Sequence, residues 1–263
     1  QADRVIATAK KTGKILTVYQ NHRYDSDFRT LQHLVQSSAF GQITECEVHY
    51  DFDFPTWISG WTSPSYTPGS GMMFGLGSHT IDQALELFGL PSGVTGFYRS
   101  LRGVESKTDD SFTVILQYRD EKKNLLVTIK TSVVATMQLP LKFLVRGYVG
   151  SFVKFGDDKQ ESQIAAGLTT ASPVFGVESE TSYGLLTTKE KVCEEQSLDG
   201  GCGKWVGKFP SLRGSYEDFY VDLVKAIRRE RELVVKVQQS RDGIRIIELA
   251  RESAEKGCTV LFE

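Results

Sequence analysis

The stretch Ile43 to Phe54, ITECEVHYDFDF, alternates almost without fault. Cys46, Val48, Tyr50, Phe52 and Phe54 share one side of an extended chain, and Glu45, Glu47, His49, Asp51 and Asp53 share the other, because successive side chains of a strand point to opposite faces. A long strand that is apolar on one face and charged on the other fits a sheet covered on one side only, and such sheets are mostly antiparallel. The second half of the chain repeats the theme. SFTVILQY (111–118) and NLLVTIKTSV (124–133) flank the charged turn RDEKK, and LKFLVRG (141–147) and SFVKFG (151–156) flank Tyr148 to Gly150, so each pair reads as a hairpin.

Helices sit before, between and after these strands. In residues 2–12, Val5, Ile6 and Ala9 keep helical spacing and Gly13 supplies the stop. Asp25 is placed to cap a helix whose apolar face is Phe28, Leu31, Leu34 and Val35, fading near Ser37. A third helix runs from about Ser78 to Phe88. Ser215 caps a fourth, with Asp218 as a capping-box carboxylate, and Ser240 caps a fifth that ends at Gly257 before a last strand, TVLF. ILTVY (15–19) is a continuous apolar run that reads as a buried, parallel-type strand. Residues 160–214 read as long loops with one strand candidate, VCEEQSL (192–198). Helices beside a large, mostly antiparallel open sheet make an α+β fold with the helices on one face.

The 263 residues allow one large domain or two small ones. A net charge of −2 gives no reason to expect a nucleic-acid partner. No apolar run reaches the roughly 18 residues that span a bilayer, so no membrane partner is expected. The four cysteines are widely spaced, form no CxxC pair, and fit a reducing, cytoplasmic setting without a metal site.

Three places carry candidate chemistry. His79 and Asp82 are neighbours on one helix face, so the carboxylate can orient the imidazole as an acid/base pair requires, with the helix dipole lowering the ring's proton affinity. Equally, Asp82 can serve the helix N-terminus and His79 the surface. Asn21, His22, Arg23 and Tyr24 follow the end of the expected strand at 15–19, where α/β proteins bind ligands; a polar connection with Arg23 paired locally is the other reading. Trp57, Trp61 and Tyr66 lie in a loop punctuated by Pro and Gly, either lining a pocket or plugging the core. The segment GSGMMFG is G-x-G-x-x-x-G, follows a loop instead of a strand, and fails as a dinucleotide fingerprint.

The stretch GSGMMFGLGSHTIDQALELFGLP resembles the Gfo/Idh/MocA family of NAD(P)-dependent oxidoreductases, as do GKILTVYQNHRYDSDF, FGQITECEVHYDFDF and SRDGIRIIELARESAEKGCTV. The resemblance implies an N-terminal Rossmann domain followed by an α+β domain that binds substrate and dimerises through its open sheet. On that reading residues 1–20 are the last helix and strand of a truncated dinucleotide-binding domain, and residues 21–263 are the C-terminal domain. The NAD or NADP site, including a substrate-contacting lysine, would lie mostly upstream of Gln1, on a protein about 120 residues longer. The chain alone would then hold no cofactor and be redox-inactive. His79 matches the family's catalytic histidine and Asp82 its orienting partner. Arg23, Tyr24 and Asp25 match a motif near the substrate. The family's first aspartate of Asp-x-x-x-His-x-x-Asp falls on Gly75. The implied reaction is hydride transfer on a sugar, polyol or small alcohol or carbonyl compound, in a homodimer; the alternative is a non-redox regulatory or scaffold relative that kept the fold.

Overall fold

The computed structural model describes residues 1–119 and 124–263. Among these residues ten strands form one sheet: β1 (Ile43–His49), β2 (Gly93–Arg99), β3 (Ser111–Tyr118), β4 (Leu125–Ser132), β5 (Leu141–Gly147), β6 (Gly150–Phe155), β7 (Gly184–Thr188), β8 (Ser197–Asp199), β9 (Lys204–Phe209) and β10 (Val260–Leu261). Their order across the sheet is β10-β2-β3-β4-β1-β5-β6-β7-β9-β8. The sheet is mixed. β1 runs parallel to β4 and antiparallel to β5, while the other pairings among the described residues are antiparallel. β3 and β4 form the expected ladder, Ser111 opposite Ser132 through Tyr118 opposite Leu125. Of their connection, residues 120–123 of RDEKK lie outside the described residues.

Six α-helices among the described residues accompany the sheet: α1 (Ala2–Thr12), α2 (Ser26–Gln36), α3 (Ser78–Phe88), α4 (Gln160–Ala165), α5 (Glu217–Ile227) and α6 (Val237–Lys256). The alternation is visible as burial. Cys46 and Val48, Val114 and Leu116, Val127 and Ile129, and Val145 turn inward onto Phe28, Leu31 and Leu34 of α2, Ile81 and Ala84 of α3, and Ile246, Leu249 and Ala250 of α6. Burying each such side chain contributes about 1.5–3 kcal/mol. α6 lies so close on β2 that a Cβ on Gly96 would stand 2.2 Å from the Ala250 carbonyl oxygen. Only glycine permits that approach.

Several expectations change. Residues 15–19 join no strand, and Ile15, Val18 and Tyr19 are exposed, since no neighbouring strand among the described residues offers a parallel ladder. β1 stops at His49; beyond it Asp51 Oδ1 accepts from Ser132 N at 2.8 Å, so a side chain replaces the backbone partner and the ladder becomes irregular. Residues 160–214 are not only loops. They hold α4 and strands β7, β8 and β9, and VCEEQSL contributes only its last two residues to β8. Ser215 and Ser240 are not side-chain caps. α5 starts after Tyr216, Asp218 instead pairs with Arg29 at 2.9 Å, and Ser240 lies inside α6, whose first turn is closed by Gln239 Oε1 accepting from Lys236 N. Asp25 stands at the N-cap of α2 but makes no cap bond; the Ser26 amide donates to Asp158 Oδ2 from a distant loop, at 2.8 Å.

Candidate functional site

Helical backbone begins at Met72, passes through a π-helical turn at Met73–Gly77, and continues into α3 without a break. His79 is therefore inside a helix and not in its first turn, so the dipole argument does not apply to it. Such π-helical turns concentrate at functional sites. The true start of this helix is taken by Asp109, whose carbonyl oxygen accepts from Met72 N at 3.0 Å and whose Oδ2 accepts from Met73 N at 2.8 Å. A carboxylate already fills the place where a phosphate would bind, so GSGMMFG does not fit a dinucleotide pyrophosphate.

The His79 imidazole is partly exposed, and its Nδ1 lies 3.1 Å from Gln20 Oε1. Because that oxygen only accepts, Nδ1 carries the proton and Nε2 keeps a free lone pair. The expected His79–Asp82 pair does not form. Both Asp82 oxygens accept from Arg23, Nε at 2.6 Å and Nη2 at 2.7 Å, and Arg23 Nη1 donates to Glu86 at 2.6 Å. Arg23 and Asp82 are both buried, and a guanidinium meets a carboxylate best in this two-bond geometry. Asp82 therefore locks the 3₁₀ turn Asn21–Tyr24 onto α3, and Gln20, just before that turn, takes over the orientation of His79.

His22 packs edge-to-face on His79, ring centroids 4.5 Å apart. Its Nδ1 lies 2.8 Å from Asp25 Oδ2, and its Nε2 lies 3.6 Å from the exposed carboxylate of Glu161. Behind it stand Tyr50, at 5.5 Å between centroids, and Tyr216, at 6.2 Å. Lys142 Nζ sits 3.7 Å above the Tyr50 ring and 3.4 Å from Asp157 Oδ1, in a side chain only 1% exposed. Such a buried ammonium on an aromatic face is a strong fixed charge. Burial first, then the charges of His22 and Lys142, lower the His79 pKa to about 3. Burial also lowers that of His22 and raises the carboxyls of Asp25 and Asp27 well above the usual range.

Of the other predicted residues, Asn21 is buried in the 3₁₀ turn, and the Tyr24 hydroxyl donates to Asp222 Oδ2 at 2.9 Å. Trp57 and Trp61 stand 5.7 Å apart, and Trp57 meets Phe52 at 5.3 Å. Phe52 in turn meets Tyr50 at 5.3 Å, so a run of ring contacts joins the aromatic loop to His22 and His79. Tyr66 lies away from this run, under the Arg251 guanidinium at 3.8 Å. Gln20, Tyr50, Lys142, Glu161 and Tyr216 had no signal of function in the sequence. Lys142 sits where the register of β5 shifts between Leu141 and Phe143, which turns a lysine inward beside a buried phenylalanine.

A titration follows from the lowered imidazole. The unfolded chain binds a proton on His79 near the ordinary value of about 6.5, and the folded chain does not until about pH 3. Stability should thus be lost as pH falls across that window, by up to about 1.4 kcal/mol per unit for this group. The raised carboxyls act in the opposite sense, losing stability as pH rises, so the contribution of His79 is a difference between variants. Urea unfolding from pH 7 to pH 4 should show the native protein losing ground against His79→Gln. A gap that does not change with pH would contradict the assignment.

Residues 28–153 match the GFO/IDH/MocA C-terminal domain. An uncharacterized oxidoreductase of Schizosaccharomyces pombe is 32% identical over 263 residues, across 99% of this chain and 71% of that protein. The scyllo-inositol 2-dehydrogenase (NADP(+)) of Bacillus subtilis is 31% identical over 255 residues, across 97% of this chain and 66% of its own length. Among solved structures, an oxidoreductase from Bacillus cereus superposes with a TM-score of 0.84 at 28% identity, covering 100% of this chain and 69% of the other. No helix among the described residues is long and apolar enough to cross a membrane. With its mixed sheet, its helix-borne histidine and relatives that align over nearly its whole length, the chain belongs to the GFO/IDH/MocA family of oxidoreductases.

Proposed function

We propose that this chain is the substrate-binding portion of an NAD(P)-dependent oxidoreductase that interconverts a carbinol and a carbonyl on a sugar, polyol or related small molecule. The observation that carries the reading is His79. Its Nδ1 proton is committed to Gln20, and its Nε2 is an unprotonated base on a partly exposed ring. A neutral imidazole takes a hydroxyl proton during oxidation and returns it in reduction; the burial that lowers its pKa to about 3 weakens it as a base until a charged group stands beside it. Arg23 and Asp82 hold the turn that carries Gln20 and His22, and so position that base. The Bacillus subtilis relative, named for an inositol and NADP(+), supports the substrate class and the cofactor. The segment GSGMMFG does not fit the pyrophosphate of NAD(P), and only the proton is assigned to this chain. The exposed side chains of Val5, Ile15, Val18 and Tyr19 support reading residues 1–20 as the edge of a nucleotide-binding domain.

A test is NAD(P)H absorbance with the full-length gene product over a panel of cyclitols, sugars and aldehydes. Turnover supports the reading; none across the panel with either nucleotide counts against it. One observation favours the non-redox alternative. A Cβ on Gly75 would lie 2.5 Å from the Trp61 ring, so no carboxylate fits where the family carries one.

The uncovered sheet face, with Phe97, Leu126 and Leu185 exposed beside Glu45 and Arg146, supports a two-fold dimer. Light scattering at micromolar concentration should give twice the chain mass, and a monomer would contradict it.

A further inference from the structure

Residues 15–19 join no strand, yet they are held in place. Thr17 Oγ1 donates to the Val235 carbonyl oxygen at 2.8 Å. The Tyr19 ring packs edge-on against Phe219, centroids 4.9 Å apart, and beside Tyr220 at 5.6 Å. Tyr19 and Tyr220 nevertheless stay 42% and 55% exposed. Open aromatic surface that is already fixed is good ground for recognition, because little entropy is lost when a ligand lands on it. Both rings line a cleft of about 420 Å³, together with Phe175, Tyr216 and Glu217. That volume lies in the range of small-molecule sites. The cleft adjoins the candidate site: the Tyr216 ring meets His22 edge-to-face at 6.2 Å between centroids, and Gln20, which orients His79, follows Tyr19 in the chain.

The charge around the cleft is one-sided. Among the described residues no lysine or arginine lines it. Glu217, in the first turn of α5, is exposed and has no ion-pair partner among the described residues. The cations of the neighbouring cleft are spent elsewhere, Arg29 on Asp218 at 2.9 Å and Arg213 on the Phe175 and Ser172 carbonyl oxygens at 2.8 and 3.1 Å. A second carboxylate, Glu161, stands on α4 one turn before Ile164, which also lines the cleft. Its Oε1 lies 3.6 Å from His22 Nε2, too long for a hydrogen bond, so the imidazole does not occupy it. Its charge bears on the Tyr19 hydroxyl, which burial, Tyr220 and then Glu161 raise to about 12. Lys142, the cation behind His22, is 1% exposed and committed to Asp157.

We infer that this cleft is a subsite for an organic ammonium group, seated against the Tyr19 and Tyr220 rings and paired with Glu217. An ammonium is drawn to the negative face of an aromatic ring, more strongly where water is partly excluded. A carboxylate beside the rings supplies the counter-charge, whereas an anionic ligand would meet like charge with no free cation to offset it. The inference rests on the oxidoreductase reading only for calling the occupant part of a substrate.

Titration calorimetry and saturation-transfer NMR on the full chain, without nucleotide, test it. The probes are choline and dimethylbutanol, its uncharged carbon isostere, so the comparison isolates the charge. Choline should bind at least about 10-fold more tightly, equivalent to about 1.4 kcal/mol. Glu217→Gln should cut that ratio about 3–10-fold, and Tyr19→Leu by a similar factor, because leucine keeps an apolar contact but offers no ring face. Both residues are exposed, so both variants should fold. Glu217 also favours the N-terminus of α5, a role that would change stability but not the ratio of the two affinities. Equal affinity for the two probes, a ratio that either variant leaves unchanged, or no binding of choline overturns the subsite. Turnover is scored separately. Choline binding that depends on Glu217 and Tyr19 without any redox activity keeps the subsite and removes the enzyme, whereas turnover in a protein that does not distinguish the two probes does the reverse.

Discussion

His79→Gln is expected to lower turnover by about 10²–10⁴-fold, the usual contribution of a positioned acid–base group, while leaving the fold intact. The ring is partly exposed, and its one hydrogen bond goes to Gln20 Oε1. A glutamine amide can still donate to that oxygen, so little packing is lost. It cannot accept a proton at pH 7. The loss should fall on kcat, because proton transfer occurs only in the reaction's transition state, with KM changing little. Gln20→Leu should give a smaller loss through the wrong tautomer, since the ring keeps its place but not its orientation. Unchanged kcat in His79→Gln, measured by NAD(P)H absorbance on the full-length gene product, would remove the assigned role.

Arg23→Ala is expected to cost about 3–5 kcal/mol of stability, because it strands a buried charge. Asp82 is 2% exposed, and its two oxygens both rely on the guanidinium. Burial already raises the Asp82 carboxyl despite Arg23, so without the arginine it would protonate or unfold the turn. Replacing both members, Arg23→Met with Asp82→Leu, should cost less than the single change, since the buried carboxylate goes with its partner and only the more exposed Glu86 loses an ion pair. Denaturant unfolding of the two single variants and the double variant checks this through their coupling. A double variant as unstable as the sum of the singles would show that the pair is not a closed unit. Because the same pair carries the turn that holds Gln20 and His22, mild versions such as Asp82→Asn should also slow turnover.

Much of the sheet was legible in the sequence. The alternations at 43–49, 111–118 and 125–132 are real strands with the expected inward faces, and the glycines at 13 and 257 close helices in the left-handed conformation. The errors have a common source. ILTVY was apolar enough for a buried strand, but a strand also needs a ladder partner, and none is present among the described residues. Residues 184–209 are rich in Gly, Lys and Glu and lack the apolar density of a central strand; β7, β9 and β8 close one end of the sheet, with β8 as its edge strand.

At the candidate site the division is sharper. Residue types and spacing singled out His79, Asp82, Arg23, Trp57 and Trp61 one by one. They did not say which would touch which. Spacing of three along a helix joined His79 to Asp82, yet a guanidinium from 59 residues away claims both carboxylate oxygens with better geometry.

The sequence by itself determined the strand faces, the helix stops and the kinship of the chain, because periodicity and turn chemistry are properties of short segments. Only the tertiary structure decided that β1 pairs parallel with β4, that Asp82 belongs to Arg23, that Lys142 points inward, and that Trp61 rests on Gly75. Those facts depend on which distant segments meet. A buried charge or ring takes whichever partner offers the best hydrogen bonds and packing in three dimensions, and nothing within a single segment records that choice.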